Sequence, residues 1–283
     1  MELRSAFRCD RVFLHAETMG GKRLVFLLDT GGGANLIREQ AIAACGLEPF
    51  AFPVDGADRP AVRFPECGEA SPLPGSPLPL LAWTAEPDWQ GADGMLGQAW
   101  FRDRVWLVDY ASRRLAVSPS EPTDGWAKAP LGLARAGPTF PRIQVEVDGE
   151  ALDLLFDTGA TARLTPPAAA ALGGPRLRGT SFVIDRVMRR WRDRHPDWRY
   201  LPAADSARYD MLEAPEVIVA GRPIGPVWFT QRPDASFTEW MSSMMDKPIA
   251  GALGGSALRH GTWLLDYPHG VVWFRGSHER DVT

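Results

Sequence analysis

Asp29 and Asp157 each end a short apolar run and each open the same tripeptide, Asp-Thr-Gly. A carboxylate at the mouth of a strand is suited to general acid and base work. Two of them held about 3 Å apart cannot both ionise easily, so the pair shares one proton. One carboxylate can then activate a water while the other, protonated, polarises a carbonyl, the roles exchanging as the leaving group departs. That chemistry requires no metal and no cofactor. Gly31 and Gly159 suit it too, because they let the backbone come close to the carboxylates where a Cβ would intrude. A single Asp-Thr-Gly is a common strand exit; its duplication in matching context gives it weight.

The elements that must position these residues are themselves repeated. Gly21–Leu36 aligns without gaps on Gly149–Leu164 at an offset of 128 residues. A second block, Asp93–Arg102 followed by Trp106–Tyr110, matches Ala250–Arg259 followed by Trp263–Tyr267 at an offset of 157, so the second copy carries 29 extra residues between its blocks. Each copy has roughly domain size: an N-terminal unit over 1–117, a Pro-, Gly- and Ser-rich connection over 118–138, and a C-terminal unit over 139–283 with a helical insertion near 180–212. Within the copies, apolar runs such as Leu24–Leu28, Val105–Val108, Leu152–Phe156 and Val271–Phe274 read as buried strands. Turns at Met19–Lys22 and Val147–Glu150 precede each Asp-Thr-Gly and predict hairpins. Short helices are expected over Arg38–Cys45 and Pro166–Leu172. The predicted fold is mainly β, in two lobes.

This arrangement resembles the aspartic peptidases of the pepsin and retropepsin type. The resemblance rests on both Asp-Thr-Gly motifs and on two later apolar-apolar-Gly motifs, Met95-Leu96-Gly97 and Ala252-Leu253-Gly254, and it covers roughly residues 12 to 117 and 140 to 275. It implies two similar β-barrel-like lobes, with an extended peptide or protein substrate bound in the cleft between them. Asp29 and Asp157 would be the catalytic dyad of an endopeptidase. Thr30 and Thr158 would cross-brace the two loops beneath it, and Gly97 and Gly254 would pack those loops. A monomer would suffice, because one chain supplies both carboxylates. The alternative on the same fold is a peptide-binding or peptide-modifying protein, such as an epimerase or cyclase.

The chain departs from the pepsin branch in several places. Gly32 and Ala160 follow the tripeptides where pepsin-like relatives have Ser or Thr, which resembles the retroviral branch more closely. Without those hydroxyl donors the ionised dyad loses a stabilising hydrogen bond, and activity is expected to reach toward neutral pH. No Tyr lies between Asp29 and Gly97, so the flap tyrosine of the pepsin branch has no counterpart; Phe50–Phe64, with Asp55-Gly56 in its turn, is the candidate flap hairpin.

Composition narrows the remaining classes. The 283 residues are 45% apolar, enough for a sizeable core, and 31 Lys+Arg against 35 Asp+Glu leave a formal charge of −4, which offers no general attraction to a nucleic acid. No apolar run reaches the roughly 18 residues of a bilayer span, and the first residues lack a signal-peptide core, so a cytoplasmic protein without membrane partners is expected. Cys9, Cys45 and Cys67 are odd in number and irregular in spacing, which suggests reduced thiols. The five histidines, His278 included, show no ligand spacing. Ile184, Val187, Trp191, His195 and Trp198 have helical spacing, with Arg186, Arg189, Arg190, Arg192 and Arg194 between them. This reads as an amphipathic helix with a solvated basic face, or else as a lid or a docking site for an acidic partner. Trp83, Trp89, Trp228, Trp240 and Met241–Met245 are core candidates that could instead line a cleft.

Overall fold

The computed structural model describes residues 1–85, 89–120, 122 and 125–277. Those parts of the expected connection and C-terminal unit that fall on 121, 123–124 and 278–283, His278 among them, lie outside the described residues. The chain begins with β1 (Glu2–Leu3) and the hairpin β2 (Ser5–Arg8) and β3 (Arg11–Glu17), followed by β4 (Arg23–Leu28), which runs into Asp29. After the loop come β5 (Asn35–Arg38) and α1 (Glu39–Cys45), ended by Gly46 in the left-handed conformation (φ 61°). The hairpin β6 (Phe50–Val54) and β7 (Ala57–Val62) turns through Asp55 and Gly56, both at positive φ, as a two-residue hairpin loop demands. β8 (Leu80–Trp83) and β9 (Gly94–Leu96) complete an open sheet of order β2-β3-β4-β9-β5-β8-β7-β6.

Next are α2 (Gln98–Phe101), β10 (Val105–Asp109), β11 (Arg114–Val117) and β12 (Ala127–Pro130). β12 lies inside the expected connection, yet it pairs with the last described strand. The second copy opens with β13 (Arg142–Val147) and β14 (Glu150–Phe156), joined through Asp148 and Gly149 at positive φ. It continues with β15 (Thr161–Arg163), α3 (Pro166–Leu172), β16 (Leu177–Gly179), β17 (Ser181–Ile184) and α4 (Asp185–Arg194). β18 (Tyr200–Leu201), β19 (Met211–Ala214), β20 (Val217–Val219), β21 (Arg222–Ile224), β22 (Val227–Arg232) and β23 (Gly251–Leu253) follow. α5 (Gly255–Leu258), β24 (Gly261–Asp266) and β25 (Val271–Gly276) close the described chain.

The protein is mainly β, as its apolar runs predict. Its sheets are open: the eight-stranded sheet ends on β2 and β6, the nine-stranded one on β18 and β21, and the ends do not pair with each other. The expectation of barrel-like units is corrected accordingly. The strand order β4-β9-β5-β8 recurs as β14-β23-β17-β22, with the same parallel and antiparallel senses.

This recurrence relocates the extra residues of the second copy. Ile37 pairs with Gly94, and Val183 pairs with Gly251 in the same sense, so β5 corresponds to β17 at an offset of 146. The gapless match of Leu36 to Leu164 therefore ends shortly after the second Asp-Thr-Gly. β15 leaves the main sheet and pairs with β16, and eighteen of the 29 extra residues lie before β17. α4 is present over the predicted apolar stretch, but it follows β17 as α1 follows β5, so it is the counterpart of α1 and no insertion.

The six-stranded sheet β1-β11-β10-β24-β25-β12 joins the copies, and its core is repeated as well. The Trp106 indole N–H donates to Phe101 O (2.8 Å) and the Trp263 indole to Leu258 O (2.7 Å), pairs that are 157 residues apart. Both indoles are fully buried, Trp106 against Trp100 and Trp263 against Phe274.

A second seam is made by the tip of the β2–β3 hairpin. Cys9 O accepts the Gly179 N–H (2.7 Å), and Asp10 sits between Arg178 and Arg259, 3.8 Å from each. A Cβ on Gly179 would lie 2.5 Å from Asp10 O, and one on Gly255 would overlap the same atom, so the tip enters a socket that side chains would fill. Arg11, fully buried, donates to Thr161 Oγ1 (3.2 Å) beside this socket.

Candidate active site

Each aspartate leaves its strand into a tight loop fixed by backbone bonds. Asp29 N donates to Leu96 O and Asp157 N to Leu253 O, both at 3.0 Å, and Gly32 N closes back on Asp29 O at 3.0 Å. Beneath the carboxylates the two loops are tied together by threonines. Thr30 Oγ1 donates to Phe156 O (2.5 Å) and accepts from Thr158 N (3.0 Å). Thr158 Oγ1 donates to Leu28 O (2.9 Å) and accepts from Thr30 N (3.1 Å). Both side chains are buried, so all four bonds lie away from water.

The glycines cross over. A Cβ on Gly31 would stand 2.6 Å from Asp157 Cγ, and a Cβ on Gly159 would overlap the Asp29 carboxyl group, so each copy's glycine packs against the other copy's aspartate. Gly97 and Gly254 lie behind the same loops. A Cβ on Gly97 would come within 2.7 Å of Gly32 O, and one on Gly254 within 2.6 Å of the Ala160 methyl group. Their N–H groups donate to Asn35 Oδ1 (3.0 Å) and Ser181 Oγ (3.1 Å). Asn35 and Ser181 hold corresponding places in β5 and β17, and both are buried. Neither stands out in the sequence, because the offset of 128 does not align them.

Asp29 and Asp157 act on each other's protonation. Burial holds the Asp29 carboxyl well above the usual range, reinforced by the Asp157 charge, while the Gly31 and Gly32 N–H groups oppose the shift. Asp157 is raised too, again by burial, and is pulled back by its bond from Asp29 and by the N–H groups of Gly159, Ala160 and Gly31. Two such groups side by side favour sharing one proton over both ionising.

A cavity of about 550 Å³ opens on the Asp157 side. Its wall contains Gly31, Leu155, Asp157, Phe182 and Arg232, together with the π-helical turn Ser236–Met241. That turn carries Phe237 and Met241 inward and leaves Trp240 69% exposed at the rim. Of the aromatic candidates, Trp89 and Trp228 are core residues and Trp83 packs beside Trp89; Trp240 and Met241 line the cavity.

The basic face of α4 is occupied by partners. Arg186 pairs with Asp234, Arg189 with Asp185, Arg190 with Glu150 and Arg194 with Asp148, while Arg192 stacks on Tyr200 at 4.1 Å. His195 stacks on Trp198 with ring centroids 4.3 Å apart and meets Asp148 at 2.9 Å, a packing arrangement away from the dyad. Cys9, Cys45 and Cys67 are not disulfide-bonded.

Among the described residues, no group of three or more His, Cys, Asp or Glu stands close enough to hold a metal ion, and no helix is long and apolar enough to cross a membrane. No protein-family model matches the chain, and no curated protein matches it either.

Proposed function

We propose that this chain is a bilobal aspartic endopeptidase of the pepsin and retropepsin type, with Asp29 and Asp157 as its dyad. What supports this reading is two carboxylates, one from each copy of the repeat, each packed against the other copy's glycine and acting on the other's protonation, whose loops are braced by Thr30 and Thr158. In the reaction, the ionised carboxylate removes a proton from a water as it attacks the scissile carbonyl, and the protonated carboxyl donates to the carbonyl oxygen. The amine then takes the dyad's proton as the C–N bond breaks, and a hydroxyl of the tetrahedral intermediate returns one to the dyad as the new carboxyl forms, leaving the pair singly protonated again. The substrate is an extended peptide lying across both copies, with the β6–β7 hairpin as its flap. One chain carries the whole site and acts as a monomer.

Mass spectrometry of a peptide library tests this. The wild-type protein should cleave by hydrolysis, and Asp29→Asn or Asp157→Asn should each reduce kcat/KM by about a thousand-fold or more while leaving the circular dichroism spectrum unchanged. Peptides converted without a mass gain of water, or bound and never cut, would shift the assignment to a peptide-modifying or peptide-binding protein.

A further inference from the structure

Among the described residues, Arg232 is the sole basic one in the wall of the cavity beside Asp157, and its guanidinium is held in an unusual way. It is stacked between Phe182 and Tyr209, 4.1 and 4.9 Å from their ring centroids, and its side chain is only 20% exposed. Both of its hydrogen bonds leave from one nitrogen: Nη1 donates to Asp205 Oδ2 (3.1 Å) and to Gln231 O (2.7 Å). Nε and Nη2 have no hydrogen-bond partner among the described residues.

Those two nitrogens form the side-on fork of a guanidinium, whose parallel N–H groups match the two oxygens of a carboxylate. The same molecule shows the fork filled elsewhere. Arg142 places Nε and Nη2 on the two oxygens of Asp246, Arg190 on those of Glu150, and Arg114 on those of Glu2. Arg232 alone combines an open fork with a place in the cavity wall. The charged and titratable groups that act on its own charge are Asp205 and Tyr209.

We infer that this cavity is a specificity pocket for a peptide carboxylate, received side-on by Nε and Nη2 of Arg232, while Leu155, Phe182, Phe237 and Met241 hold the aliphatic part of the residue that carries it. Two sources share that chemistry: an acidic side chain within the substrate, or the free carboxylate at its C-terminus. The inference relies on the peptidase reading for the nature of its occupant. Burial lowers the basicity of Arg232 despite Asp205, which marks a cation still short of compensating charge. Eight of the 29 extra residues of the second copy fall between β22 and β23, where the Ser236–Met241 turn of the cavity wall is built.

Two sets of peptides test this. In the first, C-terminally amidated peptides carry Glu or Gln at each position in turn. In the second, a Gln peptide has either a free or an amidated C-terminus. The wild-type protein should prefer one carboxylate form by about ten- to a hundred-fold in kcat/KM, the worth of a charge-assisted pair, and the responding set names the source. The double variant Arg232→Gln/Asp205→Asn removes both charges without stranding a buried carboxylate, and it should cleave acid and amide forms equally. Equal cleavage by the wild type, or a preference that survives in the double variant, overturns the inference. If the wild type cleaves nothing, the peptidase reading fails and the same pairs are compared by fluorescence-polarisation binding. Tighter binding of a carboxylate form then upholds the pocket, and equal or absent binding overturns it.

Discussion

Leu107 of β10 pairs with Leu264 of β24, and these residues are 157 positions apart, the offset that relates the two copies. Each therefore faces its own counterpart, and the twofold relation of the repeat passes between them. A fragment comprising residues 1–117 would expose β10 as a bare edge with a self-complementary register. It is expected to elute from size exclusion as a concentration-dependent dimer. A Leu107→Cys version should form a disulfide with itself under mild oxidation, which the unaltered fragment with its own three cysteines controls for. A monomeric fragment that does not cross-link at this position would refute the arrangement.

The threonine brace gives a second expectation. Thr30→Val strands Phe156 O and Thr158 N, and Thr158→Val strands Leu28 O and Thr30 N, all in a dry site. Each substitution should cost about 1 to 3 kcal/mol in chemical denaturation. If the brace sets the spacing of the carboxylates, each should also lower kcat more than it changes KM. Loss of stability with kcat intact would reduce the brace to a purely structural tie.

The dyad should weaken the fold as pH rises. Both carboxyls have folded-state pKa values above the unfolded ones, so in the window between them the native state binds more protons. Stability then falls as pH climbs from the ordinary aspartate range toward neutrality. Asp29→Asn removes the larger part of that dependence, the part due to Asp29. Its melting temperature should match the wild type near pH 4 and exceed it by a growing margin up to pH 7. A constant difference across that range would mean the pair is not strained.

Arg142 behaves in the opposite sense. Its guanidinium, 10% exposed, joins Asp153 on the neighbouring strand to Asp246 beyond the Ser236–Met241 turn, and it holds the Asp246 carboxyl below its usual range. This contribution is present above the ordinary aspartate value and is lost as pH falls through the depressed one. Arg142→Met leaves two carboxylates facing each other and should cost about 3 to 5 kcal/mol at pH 7. The cost should shrink in Arg142→Met/Asp246→Asn; an equal loss in both variants would place it in packing.

Much of this was legible in the residues. The apolar runs before Asp29 and Asp157, the Asp55-Gly56 turn and the α3 boundaries lie where the chain shows them, because local pattern and turn chemistry decide them. The distribution of the extra 29 residues was not legible. Two matching blocks give only the total between them, and the register of β17 is decided by its pairing with β23, a contact made across nearly seventy residues. Ile184 was counted in the helical spacing for the same reason: it ends β17 and stands at the N-cap of α4. Arg232 carries no mark in an arginine-rich chain. Its meaning comes from the edge of its guanidinium that is left open.

The seating of Cys9 and Asp10 against Gly179 and Gly255 gives the molecule a direction. The β10–β24 seam is isologous, each side a copy of the other, and two first copies could share it. The hairpin seam is heterologous: the first copy provides the tip, while Thr161 and Gly179, from the stretch that the first copy lacks, help form the socket. A chain made of two first copies would have tips with nowhere to seat. The halves have ceased to be interchangeable parts, and Asp29 and Asp157, alike in sequence, stand on unlike halves.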